Sequence, residues 1–199
     1  MRYSLIRLAQ QQLNQTQLNS IRKKLIEKIV RVDHAGELGA DRIYAGQMAV
    51  LSSGFIEVFL TSAFDTETST SSVVQHMWDQ EREHLRIMER LLHKHDVAHS
   101  IFSPVFSTFA YALGAGTALL GEKSAMACTV AVEELITQHY NNQIRELSED
   151  DPEVHSDLIK LLKRLRDEED EHRQTGVDHN GREVCKCSIA VSSSALKIA

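Results

Sequence analysis

Apolar positions recur along this chain in steps of three and four, the spacing that places side chains on one face of an α-helix. Four long stretches keep that period. The first runs from about Ile21 to Leu51, where Val30, Glu37, Tyr44 and Leu51 recur every seventh residue. The second covers about Val73 to Lys94, with Met77, Glu81, His84, Met88 and Leu91 on one face. The third covers about Ser124 to Leu147, aligning Met126, Val130, Glu133, Ile136, Tyr140 and Ile144. The fourth spans about Pro152 to Gly176, aligning Leu158, Leu162, Leu165, Glu169 and His172. Pro152 suits a first helical turn and Gly176 suits a stop. Stripes of this kind must be buried against partners, so the pattern predicts four amphipathic helices around one core.

The connecting stretches differ in character. Ser52 to Ser72 is rich in serine and threonine and reads as a loop, within which FIEVFL forms a short apolar piece. Ile101 to Gly121, IFSPVFSTFAYALGAGTALLG, carries no charge at all. It is long enough to span a bilayer, but Pro104, Gly114, Gly116 and several hydroxyls dilute its apolarity. The reading adopted is an additional apolar helix between the second and third core helices, packed on the bundle and facing a membrane surface. From Gly181 the tail GREVCKCSIAVSSSALKIA has no period and reads as weakly structured.

Composition narrows the class. At 199 residues, 42% hydrophobic and 25% charged, the chain fits one soluble domain with a sizeable core. Its boundaries are read as 23–179, after a basic segment 1–22 and before a tail 180–199. Two prolines and a low aromatic content favour helices over a sandwich or barrel. A net charge of −6 without a basic stripe excludes a general nucleic-acid binder. Three cysteines, Cys128 alone and Cys185 with Cys187 as C-x-C, give neither a disulfide framework nor a zinc site. The first 26 residues contain no acid but carry Arg2, Arg7, Arg22, Lys23 and Lys24. That pattern is typical of a mitochondrial targeting segment, or it is the start of the first helix.

Each predicted helix carries a glutamate inside its apolar stripe. An unpaired buried carboxylate is costly, so such a residue faces water, meets a cation or binds metal. Two stripes also carry histidine three residues later: WDQEREH holds Glu81 and His84, and RDEEDEH holds Glu169 and His172. On a helix each pair shares a face. Two helices giving one glutamate each and two giving Glu-x-x-His is the di-metal carboxylate arrangement of four-helix bundles. The order Glu37, then Glu81 with His84, then Glu133, then Glu169 with His172 repeats one helix pair as an internal duplication. The neighbouring acids Glu83, Glu134, Glu168 and Glu171 are read as solvent-facing. Four carboxylates are balanced by two divalent ions, a charge balance that supports iron or manganese, and the imidazole nitrogens add ligands suited to iron.

Several segments carry a family resemblance: RVDHAGELGADRIYAGQMAVL (Arg31 to Leu51), MWDQEREHL (Met77 to Leu85), ALGAGTALLGEKSAMACTVAVEELITQHYNNQIREL (Ala112 to Leu147) and RLRDEEDEH (Arg164 to His172). Together they resemble the demethoxyubiquinone hydroxylases of ubiquinone biosynthesis. The resemblance implies an all-α, ferritin-like four-helix bundle holding two Fe ions on Glu37, Glu81, His84, Glu133, Glu169 and His172. It implies an O₂-dependent monooxygenase that hydroxylates the ring of a demethoxyubiquinone-type polyprenyl quinone, the penultimate step of the pathway. His139 and Tyr140 would relay electrons or protons. NADH would serve as reductant, although no G-x-G-x-x-G fingerprint follows a strand. The enzyme would sit peripherally on the matrix side of the mitochondrial inner membrane, beside other ubiquinone-biosynthesis proteins including a lipid-binding partner. Against the family pattern, 52–72 looks inserted and 180–199 replaces a further amphipathic helix. The rival function classes are a ferritin-type iron-binding protein and an inactive quinone-binding subunit.

Overall fold

The structure, a computed structural model, describes residues 15–53 and 70–181. Among these residues there are five α-helices and no strand: α1 (Gln15–Leu51), α2 (Thr70–His95), α3 (Ser103–Leu119), α4 (Glu122–Asp150) and α5 (Ser156–Asp178). Most of the segment read as inserted, and all but the start of the tail, lie outside the described residues.

Four helices enclose the core, and interhelix bonds fix their directions. Trp78 Nε1 donates to Asp41 Oδ1 at 2.9 Å while His84 faces Glu37, so α2 runs antiparallel to α1. Tyr44 bonds Glu133 and Tyr140 bonds Glu37, so α4 also runs antiparallel to α1. α2 and α4 therefore point the same way, and a long crossover must join them. That is the connectivity of ferritin-like bundles, which contain one such crossover. Here the crossover contains α3.

The core is filled by Tyr44, Met77, Met88, Met126, Tyr140, Leu147, Leu162 and Leu165, none more than 2% exposed. Burying one such aliphatic side chain stabilises the fold by roughly 1.5–3 kcal/mol. At one end Arg22 ties α1 to the α4–α5 turn, donating to Asp150 at 2.8 Å and to Asp151 at 2.9 Å. His155 Nε2 lies 2.7 Å from the same Asp150 carboxylate.

α3 lies against α1 through small residues. Its buried positions are Ala110, Gly114 and Ala118, one turn apart. A Cβ on Gly114 would stand 2.0 Å from the Ile43 carbonyl oxygen, and one on Gly46 would stand 2.2 Å from that of Tyr111. The two backbones touch at this crossing. Away from this crossing α3 exposes Val105, Phe109 and Leu113, while Phe106, itself partly exposed, lays its ring edge against Gly39 of α1. No helix among the described residues is long and apolar enough to cross a membrane. Gly121 joins α3 to α4 with φ of 108°, a conformation that excludes most side chains.

Element boundaries differ from the sequence reading in instructive ways. α1 is helical from the first described residue, Gln15, so it overlaps the basic segment 1–22 that the sequence reading set before the domain. Pro152 falls in the turn before α5, whose first helical residue is Ser156. Gly176 does not stop α5, which continues to Asp178. Its role is contact: a Cβ there would meet Val130 Cγ2 at 2.9 Å and the Met126 carbonyl oxygen at 3.2 Å.

Candidate metal centre

The four core helices deliver one glutamate each to the middle of the bundle. Glu37, Glu81, Glu133 and Glu169 are all 0% exposed, with His84 at 2% and His172 at 3%. All six metal-ligand candidates from the sequence are thus brought together. They form two overlapping groups, Glu37, Glu81, His84 and Glu169 in one, Glu81, Glu133, Glu169 and His172 in the other. In each group one ligand atom per residue lies within 4.8 Å of all the others. Glu81 and Glu169 belong to both groups, whereas Glu37 and Glu133 each belong to one.

The donor set fits metal better than it fits itself. Glu37 Oε2, both oxygens of Glu81, Glu133 Oε2, Glu169 Oε2 and His172 Nδ1 are buried without a hydrogen-bond partner. His172 Nδ1 and Glu81 Oε1 lie 2.8 Å apart, yet they are not aligned as donor and acceptor. Lone pairs converging on a common point produce this arrangement.

Electrostatics point the same way. Burial, reinforced by the neighbouring Glu169 charge, pushes Glu81 up to about 8. Burial and Glu169 likewise raise Glu37 and, more strongly, Glu133. Burial would also raise Glu169, but the close approach of His172 and the hydrogen bond from His84 outweigh it and bring it down to about 2. Burial would lower both imidazoles, but the nearby carboxylates, Glu169 with Glu37 for His84 and Glu169 with Glu81 for His172, outweigh it and push His84 up to about 12 and His172 to about 9. Without cations the imidazoles must carry the positive charge that these carboxylates require. Two divalent ions would replace it.

Outside the ligands lies a set of partners that the sequence reading missed. His84 Nε2 is 2.7 Å from Glu168 Oε2, and His172 Nε2 is 3.1 Å from Gln80 Oε1. His84 Nδ1 donates inward to Glu169 Oε1 at 2.8 Å. With Nε2–H held by the outer partner, loss of the Nδ1 proton would turn each ring's Nδ1 lone pair to the centre. Glu168, read as a solvated acid, is half-buried for this reason, whereas Glu83, Glu134 and Glu171 are exposed as expected. Tyr44 donates to Glu133 Oε1 at 2.6 Å, and Tyr140 donates to Glu37 Oε1. Gln143 donates to the buried Asp33, one turn before Glu37. His139 does not join its neighbour Tyr140: it is exposed on the outer face of α4, because adjacent helical residues point about 100° apart.

A signal for these partners was present. Glu37, Tyr44 and Gln47 repeat as Glu133, Tyr140 and Gln143 with identical spacing, and Gln80-Glu81 answers Glu168-Glu169. The bonds cross between the halves, each tyrosine reaching the other half's glutamate and each outer partner the other half's histidine.

Comparison with known proteins bears on which bundle this is. Residues 24–195 match the family described as ubiquinone biosynthesis protein COQ7. The chain belongs to this family. The match runs into the region from Gly181 that the motif resemblance did not reach. Among relatives, the NADPH-dependent 3-demethoxyubiquinone 3-hydroxylase, mitochondrial, of Caenorhabditis elegans is 61% identical over 160 residues, 80% of this chain and 78% of the relative. The Homo sapiens protein of the same name is 50% identical over 82% of this chain and 69% of its own length. The 3-demethoxyubiquinol 3-hydroxylase of Rhodospirillum rubrum is 38% identical over 87% of this chain and 73% of the relative. The first two names cite NADPH, where the sequence resemblance had implied NADH.

Proposed function

We propose that this chain is a di-iron monooxygenase that hydroxylates the ring of a demethoxyubiquinone-type polyprenyl quinone. The observation that carries the reading is a pair of overlapping four-residue groups sharing Glu81 and Glu169, inside a bundle of the COQ7 family. Glu37 and His84 would hold one iron, Glu133 and His172 the other, with Glu81 and Glu169 between them. When bound, the irons supply O₂ activation, with one oxygen entering the ring and the other leaving as water at the expense of two electrons and two protons.

The protein's own contribution is order and dryness. Tyr140 and Tyr44 each donate to one oxygen of a terminal glutamate, leaving its second oxygen free to face a metal. Glu168 and Gln80 hold both imidazoles with Nδ1 inward. Complete burial of the four carboxylates keeps bulk water from the centre. Tyr140, in contact with Glu37, is the relay residue we retain, and exposed His139 would act only at the surface. Electrons would come from a reduced nicotinamide, with NADPH favoured by the relatives' names.

Access for an insoluble polyprenyl substrate is the work we assign to α3. Its exposed Val105, Phe109 and Leu113 would rest on the matrix side of the mitochondrial inner membrane. Partners in ubiquinone biosynthesis, including a lipid-binding protein, would meet the enzyme there. An iron-storage protein has no use for such a face.

The test is mass spectrometry of a demethoxyquinone incubated under ¹⁸O₂ with the iron-loaded chain and NADPH. A product gaining one labelled oxygen, absent with Glu169→Ala, is the expected result. A chain that holds two irons and yields no labelled product would refute the activity.

A further inference from the structure

The two halves of the centre are matched ligand for ligand but not partner for partner. Each metal position has one terminal glutamate, one histidine, two shared glutamates and one tyrosine bonded to the terminal glutamate. The outer contacts of the histidines break this symmetry. His84 is backed by the Glu168 carboxylate at 2.7 Å, His172 by the Gln80 amide oxygen at 3.1 Å. A second difference falls on the same side. Four residues before Glu37 stands buried Asp33, whereas four residues before Glu133 stands Thr129.

A carboxylate accepts an N–H bond more strongly than an amide does, and it raises the donor strength of the opposite ring nitrogen. Asp33, bonded by Gln143, is a second acid on that side only, with burial pushing its carboxyl well above the usual range. We infer that Glu168 is a positioning residue that makes the two metal positions unequal, so that the Glu37–His84 position takes its ion first and holds it more tightly. The Glu133–His172 position is then the weaker one, where an ion exchanges more readily. Glu168 touches neither ion. It acts through His84, by fixing the ring's tautomer and basicity. This inference rests on the di-metal reading above.

Cobalt(II) is a suitable probe, because its visible absorption reports coordination and its anomalous scattering reports position. The full chain, stripped of metal, is given one equivalent of cobalt and crystallised, and the occupancies of the two positions are compared. The Glu37–His84 position should be favoured about tenfold, the lower end of what such outer partners contribute to metal affinity. Glu168→Gln should remove most of that preference and shift the first step of a cobalt titration by a similar factor. Gln80→Glu, which gives His172 a carboxylate, should tighten the second step, and this variant decides the matter if Glu168→Gln does not fold. Equal occupancy in the parent chain, or a preference untouched by both substitutions, overturns the inference while leaving the di-metal centre standing. A folded chain that takes up no cobalt overturns both.

Discussion

Single residues in this protein fall into two kinds, those whose role follows from composition and spacing and those whose role needs a partner from another helix. The six ligand candidates are of the first kind. A glutamate in an apolar stripe must find a cation, and Glu-x-x-His supplies two donors on one face, so Glu37, Glu81, His84, Glu133, Glu169 and His172 are legible from one dimension. Which glutamates are shared was not legible, because it depends on how the helices face one another. The arrangement predicts different losses. Glu133→Ala should leave the centre with one tightly held ion per chain, whereas Glu169→Ala or Glu81→Ala should strip both, as counted by metal analysis after gel filtration. Glu168 was misread because an acid beside four others looks solvated, and only the facing His84 reveals its contact. Tyr140→Phe leaves one buried oxygen of Glu37 without a donor. It should cost about 1–3 kcal/mol of stability in denaturant titration of the metal-loaded chain.

At the scale of elements, the apolar period located all four core helices, since burial of a stripe is a local demand on sequence. Their ends were less legible. Pro152 and Gly176 both fit the chemistry of helix termini, yet Pro152 lies in a turn and Gly176 serves contact with α4. Tertiary packing selected among the locally permitted uses. The same holds for the stretch IFSPVFSTFAYALGAGTALLG, whose glycines looked like dilution of a membrane span. One of them, Gly114, is what lets α3 lie on α1 with backbones touching, whereas Gly116 faces open space. Gly46→Ala would place a Cβ 2.2 Å from a main-chain oxygen and 2.7 Å from the Ala115 nitrogen, and backbone cannot swing aside as a side chain can. We expect it to lower stability by at least 1–3 kcal/mol, the usual range for overpacking. Gly39→Ala meets only the Phe106 ring, at 2.9 Å, and should cost less. Comparing the two denaturant midpoints checks the ranking.

For the molecule as a whole, four buried carboxylates at one point are an electrostatic burden that bound cations relieve. Ions that bind only the folded chain stabilise it by mass action. Metal removal should therefore lower the melting temperature, and readdition of Fe(II) under anaerobic conditions should restore it, by calorimetry on the same preparation. The exposed side of α3 makes a separate prediction: Phe109→Asp should reduce co-sedimentation with anionic vesicles severalfold and leave metal content unchanged. The crossed pattern of the centre also governs when it can exist during synthesis. One metal position needs Glu169, and the other needs both Glu169 and His172, all on α5, the last helix among the described residues. A ribosome that has released only α1 to α4 presents three ligands for one ion and two for the other. Translation must pass Glu169 before one position is complete and His172 before both are, so products cut short ahead of α5 emerge without a complete position for either ion.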